Sequence, residues 1–150
     1  MSYTTALAQI KAVLQGVTGI GTVHDYARWN VDDASFSTLF VSSSIINFWT
    51  ITRRETAERW DAVQHVVRRH TYLLRGYYGI DDSAATEKTF QSLVESVMTA
   101  FRTKTTLNNV AELVQPPQLE KLDAERFSGL LVHHARVKLL VEERVQAAPN

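Results

Sequence analysis

The chain has 150 residues, 45% hydrophobic and 21% charged, which fits one globular domain able to bury a core and argues against disorder as a state of the whole chain. Sixteen Lys and Arg balance sixteen Asp and Glu, so no overall field draws the protein to nucleic acid or to an anionic membrane. The absence of cysteine removes disulfides, thiolate metal ligands and cysteine nucleophiles, and is compatible with a reducing compartment such as bacterial cytoplasm.

From Tyr3 to Gln15, the residues Tyr3, Leu7, Ile10, Leu14 and Val17 fall near one side of a helix, with Gly16 as its stop. We expect this helix to pack on a sheet. Gln9 and Lys11 break the run from Leu7 to Leu14, no stretch approaches the roughly 20 apolar residues of a membrane span, and we find no signal-peptide pattern. Gly16 to Gly21 looks superficially like a phosphate loop, but its glycine order is not G-x-G-x-x-G and it follows a helix, so it reads as a cap and a turn. Thr22 to Asn30 begins as a short strand and runs into the turn-forming Asn30-Val31-Asp32-Asp33. Asp33 is then placed to cap a short helix carrying Phe36, Leu39 and Phe40, ended by Ser42-Ser43-Ser44. Ile45 to Thr52 is apolar on both alternating faces, as in a central strand covered on each side.

Arg53 to Val63 is ambiguous, because its Ala, Glu and Arg favour helix while the flanking sequence favours strand. It reads as an exposed connection or a long hairpin tip, which would make Ile45–Arg53 and Val66–Tyr78 antiparallel neighbours. In the latter strand Val66, His70, Tyr72, Leu74 and Tyr78 share a face. The chain turns through Gly79-Ile80-Asp81-Asp82 into an amphipathic helix over Glu87–Phe101. There Phe90, Leu93, Val94, Val97, Met98 and Phe101 form one stripe, with acids near the start and Arg102 and Lys104 near the end. Thr103 to Gln118, with Pro116-Pro117, reads as a long surface connection. Leu130 to Arg144 alternates as a half-buried antiparallel strand, one face carrying Leu131, His133, Ala135, Val137, Leu139 and Val141. The expected fold class is α+β, a mainly antiparallel sheet with helices packed on one face, in a single domain over residues 1–150 with a flexible tail at 146–150.

Reactive chemistry is not legible. His133 and His134 are neighbours on a strand, so their side chains point to opposite faces and cannot close on one ion; His65 and His70 fail by the same parity. The acid pairs Asp32-Asp33, Asp81-Asp82 and Glu142-Glu143 flank predicted elements, where caps, turns and solvated strand ends use carboxylates routinely. No G-x-S-x-G or Ser-x-x-Lys motif occurs. We therefore assign no catalytic, cofactor-binding or metal-binding residue and expect no enzyme. Arg53, Arg54 and Arg59, with Arg68 and Arg69, are the local basic concentrations. They read either as a solvated sheet edge or hairpin, or as contacts to acidic groups of another subunit or to phosphates of passing DNA; neutral net charge favours the protein contact. Trp29, Trp49 and Trp60 are core residues by default, and an exposed one would mark an interface.

Several segments together resemble the small tail-completion proteins of tailed bacteriophages, with the tail terminator family as the nearest group. They are Gly19-Ile20-Gly21-Thr22-Val23-His24-Asp25-Tyr26, Trp49-Thr50-Ile51-Thr52-Arg53-Arg54, His70-x-x-x-x-Arg75-Gly76-Tyr77, Phe90-Gln91-Ser92-Leu93-Val94-Glu95 and Gly129-Leu130-Leu131-Val132-His133-His134-Ala135. The likeness spans most of the chain through packing and turn patterns rather than a reactive motif. It implies a non-enzymatic virion protein that assembles with itself as a ring, commonly a hexamer, on the head-proximal end of the tail tube. Its partners would be the tail tube protein and a head-completion or connector protein, with DNA passing through the ring without specific binding and no membrane involved. Assembly would take place in the host cytoplasm. A head-completion or connector subunit of the same particle is the alternative, and a small α+β ligand-binding domain or enzyme the third.

Overall fold

Among the described residues a seven-stranded sheet organises the chain, and two helices lie against it. The computed structural model describes residues 3–26, 28, 40–42 and 45–146. In chain order the elements are α1 (Tyr3–Gln15), β1 (Thr22–His24), β2 (Val41–Ser42), β3 (Ile45–Ala62), β4 (His65–Gly79), a 3-10 turn (Asp82–Ala84), α2 (Thr86–Arg102), β5 (Leu113–Val114), β6 (Gln118–Phe127) and β7 (Leu130–Gln146). The sheet order is β1-β3-β4-β7-β5, with β2 also on β3 and β6 also on β7. Every pairing is antiparallel except that of β1 with β3, so the expected α+β class stands, with the sheet mixed but mostly antiparallel.

The apolar stripes behave as their spacing dictates. Ala6, Leu7, Ile10 and Leu14 of α1, and Phe90, Leu93, Val94, Val97 and Phe101 of α2, are buried. They cover one face of the sheet, made by Trp49 and Ile51 of β3, Tyr72 and Leu74 of β4, and Ala135, Val137, Leu139 and Val141 of β7. Each large apolar side chain removed from water in this way stabilises the fold by about 1.5–3 kcal/mol. Glycine fits at two tight places. A Cβ on Gly76 would lie 2.4 Å from the ring of the fully buried Trp49, so the strand needs glycine for the indole to lie flat against it. Gly21 has φ +73, and a Cβ there would lie 2.2 Å from the Asn47 carbonyl oxygen; the Asn47 side chain donates to the Gly19 carbonyl at 3.0 Å and ties the turn to β3.

The structure corrects four expectations and adds one strand. Of the two readings of Arg53 to Ala62 the connection fails and the long hairpin stands: these residues are the outer half of β3, antiparallel to β4, and the chain turns only at Val63-Gln64, where Gln64 takes the left-handed φ of 65. The stretch after α2 is not a mere surface connection: Leu107, Ala111 and Val114 belong to the core, and Leu113–Val114 pairs with β7. β6, unexpected from the sequence, pairs along β7 from Gln118 to Phe127. Gln146, assigned to a loose tail, ends β7 opposite His65. Val41–Ser42, expected at the end of a helix, pairs with Ile45–Ile46 as a strand. The expected turn at Asn30–Asp33, the short helix with Phe36 and Leu39, and Trp29 lie outside the described residues. Phe40 is buried on the sheet's second face, which is partly covered by a cluster of Phe40, Ile46, Phe48 and Val132 with Tyr77 and Phe127 packed against it. Phe48 and Tyr77 stack there at 4.8 Å.

Candidate assembly surface

Beyond the helices, β3, β4 and the end of β7 continue as a three-stranded arm. In β3 the burial alternation stops at Thr52, and all ten residues from Arg53 to Ala62 are exposed. Register carries the arm outward: Arg53 faces Tyr72, Thr56 faces His70, Glu58 faces Arg68 and Trp60 faces Val66. On the far side, Val66 faces Val145 and His65 faces Gln146. The outer edge of β3 is covered by β2 only at Ile45–Ile46 and by β1 only at Phe48–Thr50, so among the described residues the edge from Ile51 to Ala62 has no strand partner. Register shifts at Arg53/Glu55 and Trp60/Ala62 break its regularity, and its charges guard it against stray pairing.

Polar ladders across the three strands hold this arm. On the helix-bearing face, Arg68 donates from Nε to Glu58 Oε1 at 2.7 Å and from Nη1 to Glu143 Oε1 at 3.0 Å. His70 Nε2 lies 3.2 Å from the same Glu143 oxygen, and His70 Nδ1 lies 2.9 Å from Thr56 Oγ1. The Glu58 hydrogen bond holds the Arg68 guanidinium above the ordinary arginine range, with Glu143 adding to it against the opposing effect of burial. On the opposite face Arg69 donates to Glu142 Oε1 at 2.6 and 3.0 Å, and Asp61 pairs with Arg144 at 3.2 Å and with Arg59 at 3.7 Å. Glu142 and Glu143 are thus rungs within β7 rather than solvated strand-end acids, and Glu143 is buried. No pattern local to β7 signals this, because the signal is the register that sets the acids opposite Arg68 and Arg69.

All five arginines singled out from the sequence lie on the arm hairpin. Arg68 and Arg69 are engaged by acids of their own chain. Arg53 lies 4.4 Å over the Tyr3 ring, beside Tyr72, whose hydroxyl is pushed up to about 12 by burial, with Arg53 opposing. Arg59 is loosely paired, and Arg54 makes no ion pair among the described residues. Of the tryptophans, Trp49 is fully buried and Trp60 is 69% exposed at the arm tip.

The two adjacent histidines do face opposite ways. His133 lies under α2, 2.9 Å from Thr86 Oγ1 and stacked on Phe90 at 5.8 Å. His134 donates from Nδ1 to the Gly76 carbonyl at 3.1 Å and packs on Tyr77 at 4.5 Å. Burial pulls both imidazoles below the usual histidine value, although Glu125, 3.3 Å from His134 Nε2, pulls that one the other way. Among the described residues no three His, Asp or Glu side chains are grouped to hold a metal ion, and no helix is long and apolar enough to cross a membrane. The clefts are open ones. One of about 260 Å³ lies between Glu87, Phe90, Gln91 and His133 on one side and Leu122–Ala124 on the other. Another, of about 430 Å³, lies at the end of the sheet opposite the arm and is lined by Ile45, Tyr78, Ile80, Leu130 and Leu131.

Compared with models of known protein families and with curated proteins, the sequence finds no match. The site therefore defines a class by geometry alone: an α+β domain whose distinctive surface is a projecting, ion-paired arm.

Proposed function

We propose that this protein is a structural virion subunit of the tail terminator type. It closes into a ring with copies of itself at the head-proximal end of a phage tail tube and offers a surface for joining the head. The observation that supports this reading is the arm. Ten successive exposed residues of β3, with Trp60 bare at the end, bury no side chain in the core of their own chain. A monomer gains no apolar burial from this half of the strand, whereas a subunit that reaches a neighbour does. On this reading the work of the chain is docking rather than turnover, and the resemblance in sequence supplies the particular joint.

The test is mass and shape. Light scattering and negative-stain images of the purified protein, alone and mixed with tail tubes, are expected to show a closed ring, and the ring is expected to copurify with the tail tube protein. Monomers under both conditions would overturn the reading. Copurification with portal or adaptor protein in place of tube protein would move the subunit to the head-completion joint.

A further inference from the structure

Apart from Tyr26, the most exposed large apolar side chains among the described residues lie at two opposite ends of the ribbon. At the arm tip Trp60 is 69% and Val63 87% exposed. Register aligns Trp60, Val66 and Val145 across the three strands on one face, and none of them packs into the core beneath the helices. At the other end Leu130 and Leu131 are each about half exposed, and with Ile45 and Ile80 they line the open groove of about 430 Å³. Charge matches as well as shape. Asp81 forms part of the groove wall and Asp82 follows it, and neither has a cationic partner among the described residues. Beside Trp60, Arg59 is held only at 3.7 Å by Asp61, which Arg144 approaches more closely at 3.2 Å.

We infer that the arm tip of one copy seats in the groove at the opposite end of the next copy, with Trp60 and Val63 against Leu130 and Leu131 and Arg59 turned to the Asp81-Asp82 rim. The inference rests on the reading that the chain assembles with itself, and adds which two surfaces meet. Donor and acceptor patches differ and lie at opposite ends of one molecule, so every copy gives a tip to one neighbour and receives one from the other. That is a heterologous contact, the kind that closes a ring when its rotation permits. Trp60 is suited to anchor it, because a rigid aromatic that becomes fully desolvated carries a large share of an interface.

The chain lacks cysteine, so single thiols can be placed at will. Val63→Cys and Leu131→Cys proteins, mixed as monomers and then assembled, are expected to cross-link to each other with a short bis-maleimide in preference to themselves. The doubly substituted chain should give a ladder ending at one discrete size. Alkylation of Leu131→Cys should be slow in the assembled protein and fast in the dilute monomer. Trp60→Ala, at an exposed position, should keep its melting temperature and weaken association by about 30-fold or more. Rings that form without Val63–Leu131 cross-links, or with Val63–Val63 links only, overturn the inference and leave the self-assembly reading standing. Protection of Leu131→Cys in the dilute monomer would show that the chain covers its own groove, and protection only on adding tail tubes would give the groove to another protein; either result also overturns it. Wild-type protein that stays monomeric with and without tubes defeats both readings together.

Discussion

His134 shows how one side chain ties pH to stability. Its Nδ1–H is spent on the Gly76 carbonyl, and the ring lies among Tyr77 and the sheet, so taking up a second proton means charging a buried group. Burial lowers its folded-state pKa below the ordinary 6.5, and His133 shifts the same way. Below that value the unfolded chain binds more protons than the folded one. The stabilisation is complete above about pH 6.5 and is lost as the pH falls through the lower folded-state values. We expect the melting temperature to fall between pH 7 and pH 5, and His134→Gln to flatten that slope; an unchanged slope would assign the acid sensitivity to other groups. The opposed faces of His133 and His134 are legible from strand parity alone. The carbonyl partner is not, because Gly76 lies 58 residues away and meets His134 only through the pairing of β4 with β7.

Among elements, those with a buried face on a regular period are the ones that sequence reveals. The α2 stripe appears at its expected positions, with Met98 only partly buried, and the alternation of β7 matches its burial from Ala135 to Glu143, whereas before it Leu131 of the expected face is exposed and Val132 and His134 of the other face are buried. β6 and the outer half of β3 escape for the same physical reason. Both expose residues on each side, so neither has a hydrophobic period, and Arg, Glu and Ala in β3 carry a helix preference that cross-strand hydrogen bonds override. What makes the arm a strand is in its partners, above all the rungs built on Glu143. Removing that carboxylate leaves His70 buried beside Arg68 with its acceptor gone. Glu143→Ala is expected to cost about 3 kcal/mol in urea unfolding and to speed amide exchange in Arg53–Ala62 more than in α2. Equal acceleration in both would mean that the arm and the body open as one unit. Leu107, Ala111 and Val114 were hidden by their polar neighbours Thr105, Thr106, Asn108 and Asn109, which form a tight turn with positive φ at three successive residues from Leu107.

At the scale of the whole molecule, net neutrality hides a local distribution. Arg68 and Arg69 are spent within the chain, which leaves Arg59 at the tip, and Arg53 and Arg54 at the base, as the arm's cations available to a neighbour. Reversing both, as Arg53→Glu with Arg54→Glu, forfeits roughly 0.5–1 kcal/mol of contact with Tyr3 and should leave the monomer folded. Sedimentation of the variant should show a smaller ring fraction at low salt than wild type shows. Rings of undiminished yield would reduce the two arginines to ordinary surface residues.

The arm also obeys a rule of parity. Its reach is set by how many residues β3 and β4 carry beyond the helices, at roughly 3.3 Å for each. Lengthening both strands by two would carry the indole about 7 Å farther while keeping its orientation. A change of one would swing Trp60 to the other side of the ribbon and present Arg59 in its place. Away from the two register shifts of β3, each of which takes up one extra residue, the span can therefore change only in even steps if the indole is to keep its side.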